Sequence, residues 1–536
     1  MKFPLIFLAA AVCAAQIQSI SGERIRADVK FLASDLLEGR GVAARGGQLA
    51  TEYIATQFAL AGAKPAGDDG TYFQKVPLVG VETEPGAQLS ASGGGRTLSL
   101  KWSDDFVGAD ERQQPAANFE AEAVFVGHGI VAPEFQWDDF KGIDVRGKVV
   151  VLFTNEPDST DPKFFGGRAL TYYGRWTYKY EEALRKGALA ALIIHTTPTA
   201  GYGWSVVRNS WGGEQSYVRV QPGGQALAFA GWVTEDAGSR ILALAGRSVP
   251  ELLAASNSRD FRPIPLGVKI AVKLRSKVTA QNTRNVVAMI PGSDPERKSE
   301  AVVFSAHWDH LGIGTPVAGD AIYNGAVDNA SGCAMLLEIA RAWAGLEQKP
   351  RRTAIFVSVT AEEDGLRGSE YYAAHPAVPA AKTAVDLNLD GLFAFGRSTS
   401  VVVTGAERTT LWPLVQEAAQ RMSLAITPDP EPEQGHFYRS DHFSFARAGV
   451  PAFSIGQGPG LAGKPAGAGE ALMREYDEKH YHQPSDEYQA GWDFSGLEEL
   501  AKFTMLIGVN TANLEALPTW HAGDEFLAAR EQSGVK

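Results

Sequence analysis

From Asn285 onward the chain alternates short apolar runs with helix-length amphipathic stretches, joined by short connections. A-V-V-F-S-A (Ala301 to Ala306), T-A-I-F-V-S-V (Thr353 to Val359) and A-V-D-L-N-L (Ala384 to Leu389) are apolar and β-branched almost throughout, and the spacing predicts a helix over Asn329 to Ala344 and another after Gly368. Strands that are apolar on both faces, with helices between them, predict an α/β fold: a mainly parallel or mixed sheet covered by helices on both faces. Sheets of this kind bind ligands outside the carboxyl ends of their strands. The residues that follow each apolar run therefore carry the functional information.

Those residues are charged or imidazole-bearing. His307, Asp309 and His310 follow the first run, Asp328 precedes the helix, Glu362, Glu363 and Asp364 follow the second run, and Asp390 follows the third. Near the end comes K-H-Y-H-Q-P-S-D-E-Y, with His480 and His482. Singly, each has an ordinary explanation: a helix cap, a turn residue or a solvated loop. Together they place several carboxylates where one sheet would converge them, and their repulsion calls for a cation. Two histidines and three carboxylates suit zinc. Two metals roughly 3.5–4 Å apart would share one carboxylate and leave an imidazole and a carboxylate for each. Composition does not say which carboxylate is shared.

The remaining sequence bounds the setting. The chain has 536 residues, 45% hydrophobic and 21% charged, with a formal net charge of −12, which excludes a basic nucleic-acid footprint. Residues 1–15, with Lys2 followed by an apolar run to Ala15, read as a secretory signal, too short to span a membrane. Without that segment Cys333 is the one cysteine left, so no intramolecular disulfide is expected, and its place on a helix predicts simple packing. Export to a periplasm or the medium fits this pattern. Ile25 to Ala63 reads as helices around a Gly-rich loop. Residues 16–114 form the first part of the main domain and lead by short strands into an inserted α/β domain at 115–281. The main domain resumes at 282–520, and 521–536 reads as a tail.

H-W-D, V-D-N-A-S-G, A-E-E-D-G-L-R-G-S, L-N-L-D and Y-H-Q-P-S-D, in that order, resemble the dizinc aminopeptidase family, which includes bacterial leucyl-type aminopeptidases and, more distantly, glutamate carboxypeptidase and transferrin receptor. The resemblance covers about Asn285 to Ala512, and the insertion resembles a protease-associated domain. It implies two zinc ions, with His307 and Asp390 on one, Glu363 and His482 on the other, and Asp328 between them. It implies Glu362 as general base and Tyr481 as stabiliser of the tetrahedral intermediate. Asp309, two residues from His307 on an extended segment, is expected to orient that imidazole. Asp441 and His442, in S-D-H-F-S-F, are expected to be structural; His310, His436 and His480 are expected on the surface, and Arg367 and Arg439 in structural salt bridges. The implied substrates are peptides with a free N-terminus. A carboxypeptidase or dipeptidase, a glutaminyl cyclase and a binding module that has lost catalysis are the alternatives. Oligomeric state and side-chain preference are not legible.

Overall fold

A computed structural model describes residues 17–221 and 223–535. The expected signal segment lies outside the described residues. The chain divides into two compact units, the first made of residues up to Val76, Asn282–Pro430 and Arg439–Lys536, the second of Pro77–Gln281 and Glu431–Tyr438.

The first unit is built on a mixed sheet. β1 (Ala301–His307), β2 (Thr353–Val359), β3 (Thr383–Asn388), β4 (Ser400–Thr404) and β5 (Ala452–Gln457) are its main strands. The order is β4, β5, β3, β1, β2, followed by the end of the long strand Ile264–Ile290. β5, β3, β1 and β2 run parallel, and the two flanking pairings are antiparallel. β1, β2 and β3 are buried along their whole length, as their mainly apolar runs predict, with Asp386 and Asn388 buried on β3 as well.

Helices pack on this sheet through one continuous core. Among them are α1 (Gly22–Leu32), α2 (Arg45–Leu60), α3 (Ser331–Ala344) and α4 (Ser495–Ala512). α3 is apolar almost all round, which is why twelve of its residues are buried. Cys333 sits on α3, buried, its thiol donating to the His307 carbonyl. At the start of α3, a Cβ on Gly332 would come within 2.3 Å of Leu389 O, so only glycine lets the helix approach the end of β3 this closely.

Two sequence expectations shift here. Ile25 to Ala63 is not two plain helices: α1 stops at Leu32, and a 3-10 segment, Asp35–Arg40, leaves Leu36 72% exposed. The segment after 520 is not a detached tail. Arg530 is buried and donates to the carbonyls of Pro518 and Ala380, tying the helix Leu527–Gln532 to the first unit.

The second unit begins at Pro77 rather than 115. Strands Gln88–Gly93 and Ala116–Phe125 both pair with the first half of Ile264–Ile290, so the Gly-rich strands before 115 complete its sheet. Parallel strands Val149–Phe153, Ala190–Ile194 and Phe229–Val233 form the other side. The helix Trp176–Arg185 runs into Gly187, whose φ of 75° ends it.

Candidate metal centre

Strand register brings the charged residues together. His307 is opposite Val359, and Ser305 is opposite both Val357 and Asn388, so β1, β2 and β3 end side by side. His307 is the last residue of β1; Glu362 and Glu363 lie three and four residues past the end of β2, and Asp390 two past β3. Asp328 stands in the turn before α3, and His482 follows the helix Ala468–Lys479.

Asp328 is the hub. Its Oδ1 lies 3.2 Å from His307 Nε2, and its Oδ2 lies 3.4 Å from His482 Nε2. On the first side His307 Nε2 is also 3.0 Å from Asp390 Oδ1. On the second, His482 Nε2 is 2.9 Å from Glu363 Oε2. One ligand atom each from His307, Asp328 and Glu363 fall within 4.8 Å of one another. Ligands bonded tetrahedrally at about 2.0–2.1 Å would stand about 3.3 Å apart, and these separations bracket that value. The donor set also fits a cation by charge. The carboxyls of Asp328, Glu362, Glu363 and Asp390 outnumber the imidazoles of His307, His310 and His482, four to three.

The titration of these groups shows the same excess. Burial by itself would lower the pKa of His307, but Asp390 and Glu362 hold it well above its ordinary value. His482, likewise buried, is raised to about 10 by Glu363 and Asp328. Burial would raise Glu363, yet His482 and His310 bring it to about 2. Glu362 goes the other way: burial first, then Asp390 and Glu363, raise it well above the carboxylate range against the pull of His307. The neighbouring carboxyls thus shift in opposite directions, one lowered by imidazoles and one raised by burial and by its carboxylate neighbours.

The surrounding contacts orient the pocket. Asp309 meets His307 through its main chain, the carbonyl 3.1 Å from Nδ1, with its carboxylate Oδ1 at 4.0 Å. That same Oδ1 accepts the Glu362 N–H at 3.2 Å, so Asp309 also steadies the E-E-D turn. Ser440 donates to Asp390 Oδ2 at 2.5 Å, and Asn388 donates to Ser440. Asp441 and His442 are buried behind this contact, and burial raises the Asp441 carboxyl to about 7. The Tyr481 ring lies 4.0 Å from the His482 ring, centroid to centroid, and burial keeps its hydroxyl protonated. His482 and Ala361 have φ of 55° and 51°, a left-handed conformation costing roughly 1–2 kcal/mol per residue, both beside the pocket.

His310 is not at the surface. It is buried, with Nδ1 2.5 Å from Glu363 Oε1, leaving Oε2 for His482. Three residues beyond His307, it had no periodicity to reveal which way it points. His436 is exposed, and His480 Nδ1 lies 2.8 Å from the Ser485 hydroxyl. Arg367 lies 3.8 Å from Glu370. Sequence reasoning also passed over Arg40 and Asp486. Asp486, four residues after His482 in the same loop, carried a signal of proximity; a lone arginine in a Gly-rich turn carried none.

This arrangement defines a class of protein: an α/β fold with a metal-binding set of imidazoles and carboxylates at the carboxyl ends of its parallel strands. The model for peptidase family M28 matches residues 285–505, so this part of the chain is similar to that family. Aminopeptidase NAALADL1 of Rattus norvegicus is 32% identical over 149 residues, 25% of this chain and 18% of that protein. A probable zinc metalloprotease of Pyrenophora teres f. teres is 36% identical over 110 residues, 20% of this chain and 22% of that protein. The matched stretch thus spans about a fifth of these relatives. An aminopeptidase from Aneurinibacillus sp. strain AM-1 shares the fold, with a TM-score of 0.54 at 19% identity over 92% of this chain and 94% of that one. Among the described residues no helix is long and apolar enough to cross a membrane.

Proposed function

We propose that the chain is an exported zinc aminopeptidase that removes residues from the free N-terminus of peptides. The observation that carries this reading is Asp328, whose two oxygens face two different imidazole–carboxylate pairs. Two zinc ions would be held there, one by His307 and Asp390, the other by Glu363 and His482, with Asp328 shared. When bound, the metals supply Lewis acidity, making water a better acid and a carbonyl a better electrophile.

The chain's own residues do the rest. Glu362 takes a proton from the attacking water as the new C–O bond forms at the scissile carbonyl. It returns that proton to the amine nitrogen as the C–N bond breaks, so the carboxyl ends as it began. Its raised affinity for a proton suits it to hold one between the two transfers. The Tyr481 hydroxyl, protonated at neutral pH, serves as donor to the oxygen that gains charge. Ser440 fixes Asp390, and His310 fixes Glu363, so neither carboxylate must reorganise during the reaction. The second unit we read as the protease-associated insertion, and residues 1–15 as the export signal.

The test uses the mature protein with zinc, one unblocked peptide and its N-acetylated twin, with products followed by mass spectrometry. Stepwise loss of N-terminal residues from the free peptide alone is expected, abolished by a chelator and restored by zinc. Shortening from the C-terminus, or equal attack on both peptides, would overturn the direction of cleavage.

A further inference from the structure

Arg40 is buried, and its hydrogen bonds all go to backbone carbonyls. Nε donates to Trp308 O (2.7 Å), Nη1 to Leu32 O and Asn324 O (2.6 Å each), and Nη2 to Gly325 O (2.9 Å). A buried guanidinium without a bonded carboxylate is costly unless most of its donors are used, and here four of its five N–H groups meet carbonyls. Trp308 follows His307, while Asn324 and Gly325 lead into Asp328. Arg40 itself has φ of 51°, a conformation that persists only where the surroundings hold it.

Asp486 holds the same segment by its opposite polarity. Its carbonyl accepts Ala326 N–H at 3.0 Å, Oδ1 accepts Val327 N–H at 2.9 Å, and Oδ2 accepts Asp328 N–H at 3.1 Å. The Tyr476 hydroxyl donates to Oδ2 at 3.0 Å and keeps that carboxylate in place. Five consecutive residues are therefore gripped, two by their carbonyls and three by their amides. Within them Gly325 has φ of 56°, and a Cβ there would come 2.1 Å from Asp328 O and 2.6 Å from the His310 ring. The segment is folded tightly on itself, with no regular helix or strand to fix it.

We propose that Arg40 and Asp486 form a charge-complementary clamp on residues 324–328 that sets the position of the Asp328 carboxylate between the two metal sites. Both are positioning residues, since neither is among the groups that face Asp328 Oδ1 and Oδ2. The clamp also ties the Asp328 segment to the backbone beside His307, through the one guanidinium that reaches Trp308 O and Gly325 O. Its effect on metal binding rests on the two-zinc reading above; its effect on the backbone does not.

Hydrogen exchange on the metal-free protein, read by mass spectrometry, tests the clamp directly. In Arg40→Lys, which keeps the charge and loses the fork, peptides covering 324–330 should exchange at least tenfold faster while β1 and β2 stay unchanged. Asp486→Asn should do the same, and carries the test by itself if the arginine variant does not fold. Unchanged exchange at 324–330 in a folded variant overturns the clamp. With metal, the second equivalent of zinc should bind at least tenfold more weakly, and the visible spectrum of the cobalt-loaded variant should shift. Wild-type affinity and spectrum in a variant with faster exchange would overturn the link to Asp328. Failure of the unmodified protein to bind zinc would sink the metallopeptidase reading instead, and the exchange result would still decide the clamp.

Discussion

Both units bury ionisable groups, but they do so in opposite ways. In the second unit Lys179 is completely buried, and its Nζ donates to Asn155 O at 2.8 Å and Tyr173 O at 2.6 Å. Glu156 accepts from the amide of Thr171 and from its hydroxyl, and Asp139 accepts from Ile130 N–H and Trp137 Nε1–H. Burial lowers Lys179 to about 7 and raises Asp139 and Glu156 to about 7. Each charge answers a local backbone need, so the set explains itself as structure. In the first unit the buried carboxylates and imidazoles face one another across a pocket, with carboxylates in excess. Buried charge by itself therefore does not mark a site; buried charge whose best partner is another like-placed ligand does.

Substitutions can break that comparison. Asp328→Ala should release both zinc ions and abolish peptide hydrolysis, with metal content read by elemental analysis; full zinc occupancy in this variant would end the shared-ligand role. Glu362→Gln should lower kcat by about 10²–10⁴ while keeping the metal, as expected for loss of a general base. Parallel loss of zinc would instead make Glu362 a ligand. Lys179→Met should leave zinc content unchanged and destabilise the second unit by about 3 kcal/mol, since it strands carbonyls and buried carboxylates. Differential scanning calorimetry would read this, and a metal defect there would contradict the structural reading.

The smallest effect sharpens the contrast through pH. Burial lowers His128 to about 4 from the ordinary 6.5, with Lys179 adding to the shift. The native protein keeps this ring neutral where the unfolded chain takes a proton. Its contribution is therefore complete above pH 6.5 and lost as pH falls toward 4. Thermal melts of the native protein and His128→Gln across that range should converge as pH falls. Parallel curves would show that the ring is not held neutral.

The sequence by itself determined much of the first unit. Apolar runs at β1, β2 and β3, separated by a helix-length stretch, admit little besides a covered parallel sheet, and residues just past such strands must lie at one edge. That is why His307, Glu362, Glu363 and Asp390 could be singled out as strand-end residues, whereas Asp328, before a helix, and His482, after one, joined them through their residue types and the motifs around them. Tertiary structure alone decided how they face one another. Strand register placed His307 beside Asp390, the fold buried His310 against Glu363, and Arg40, some 290 residues before Asp328, reached its segment through space. Such partners meet through folding rather than through spacing, and a periodic pattern holds no record of them. The second unit's start at Pro77 has the same cause, since strand pairing with Ile264–Ile290 is a long-range choice that alternation along the chain does not encode.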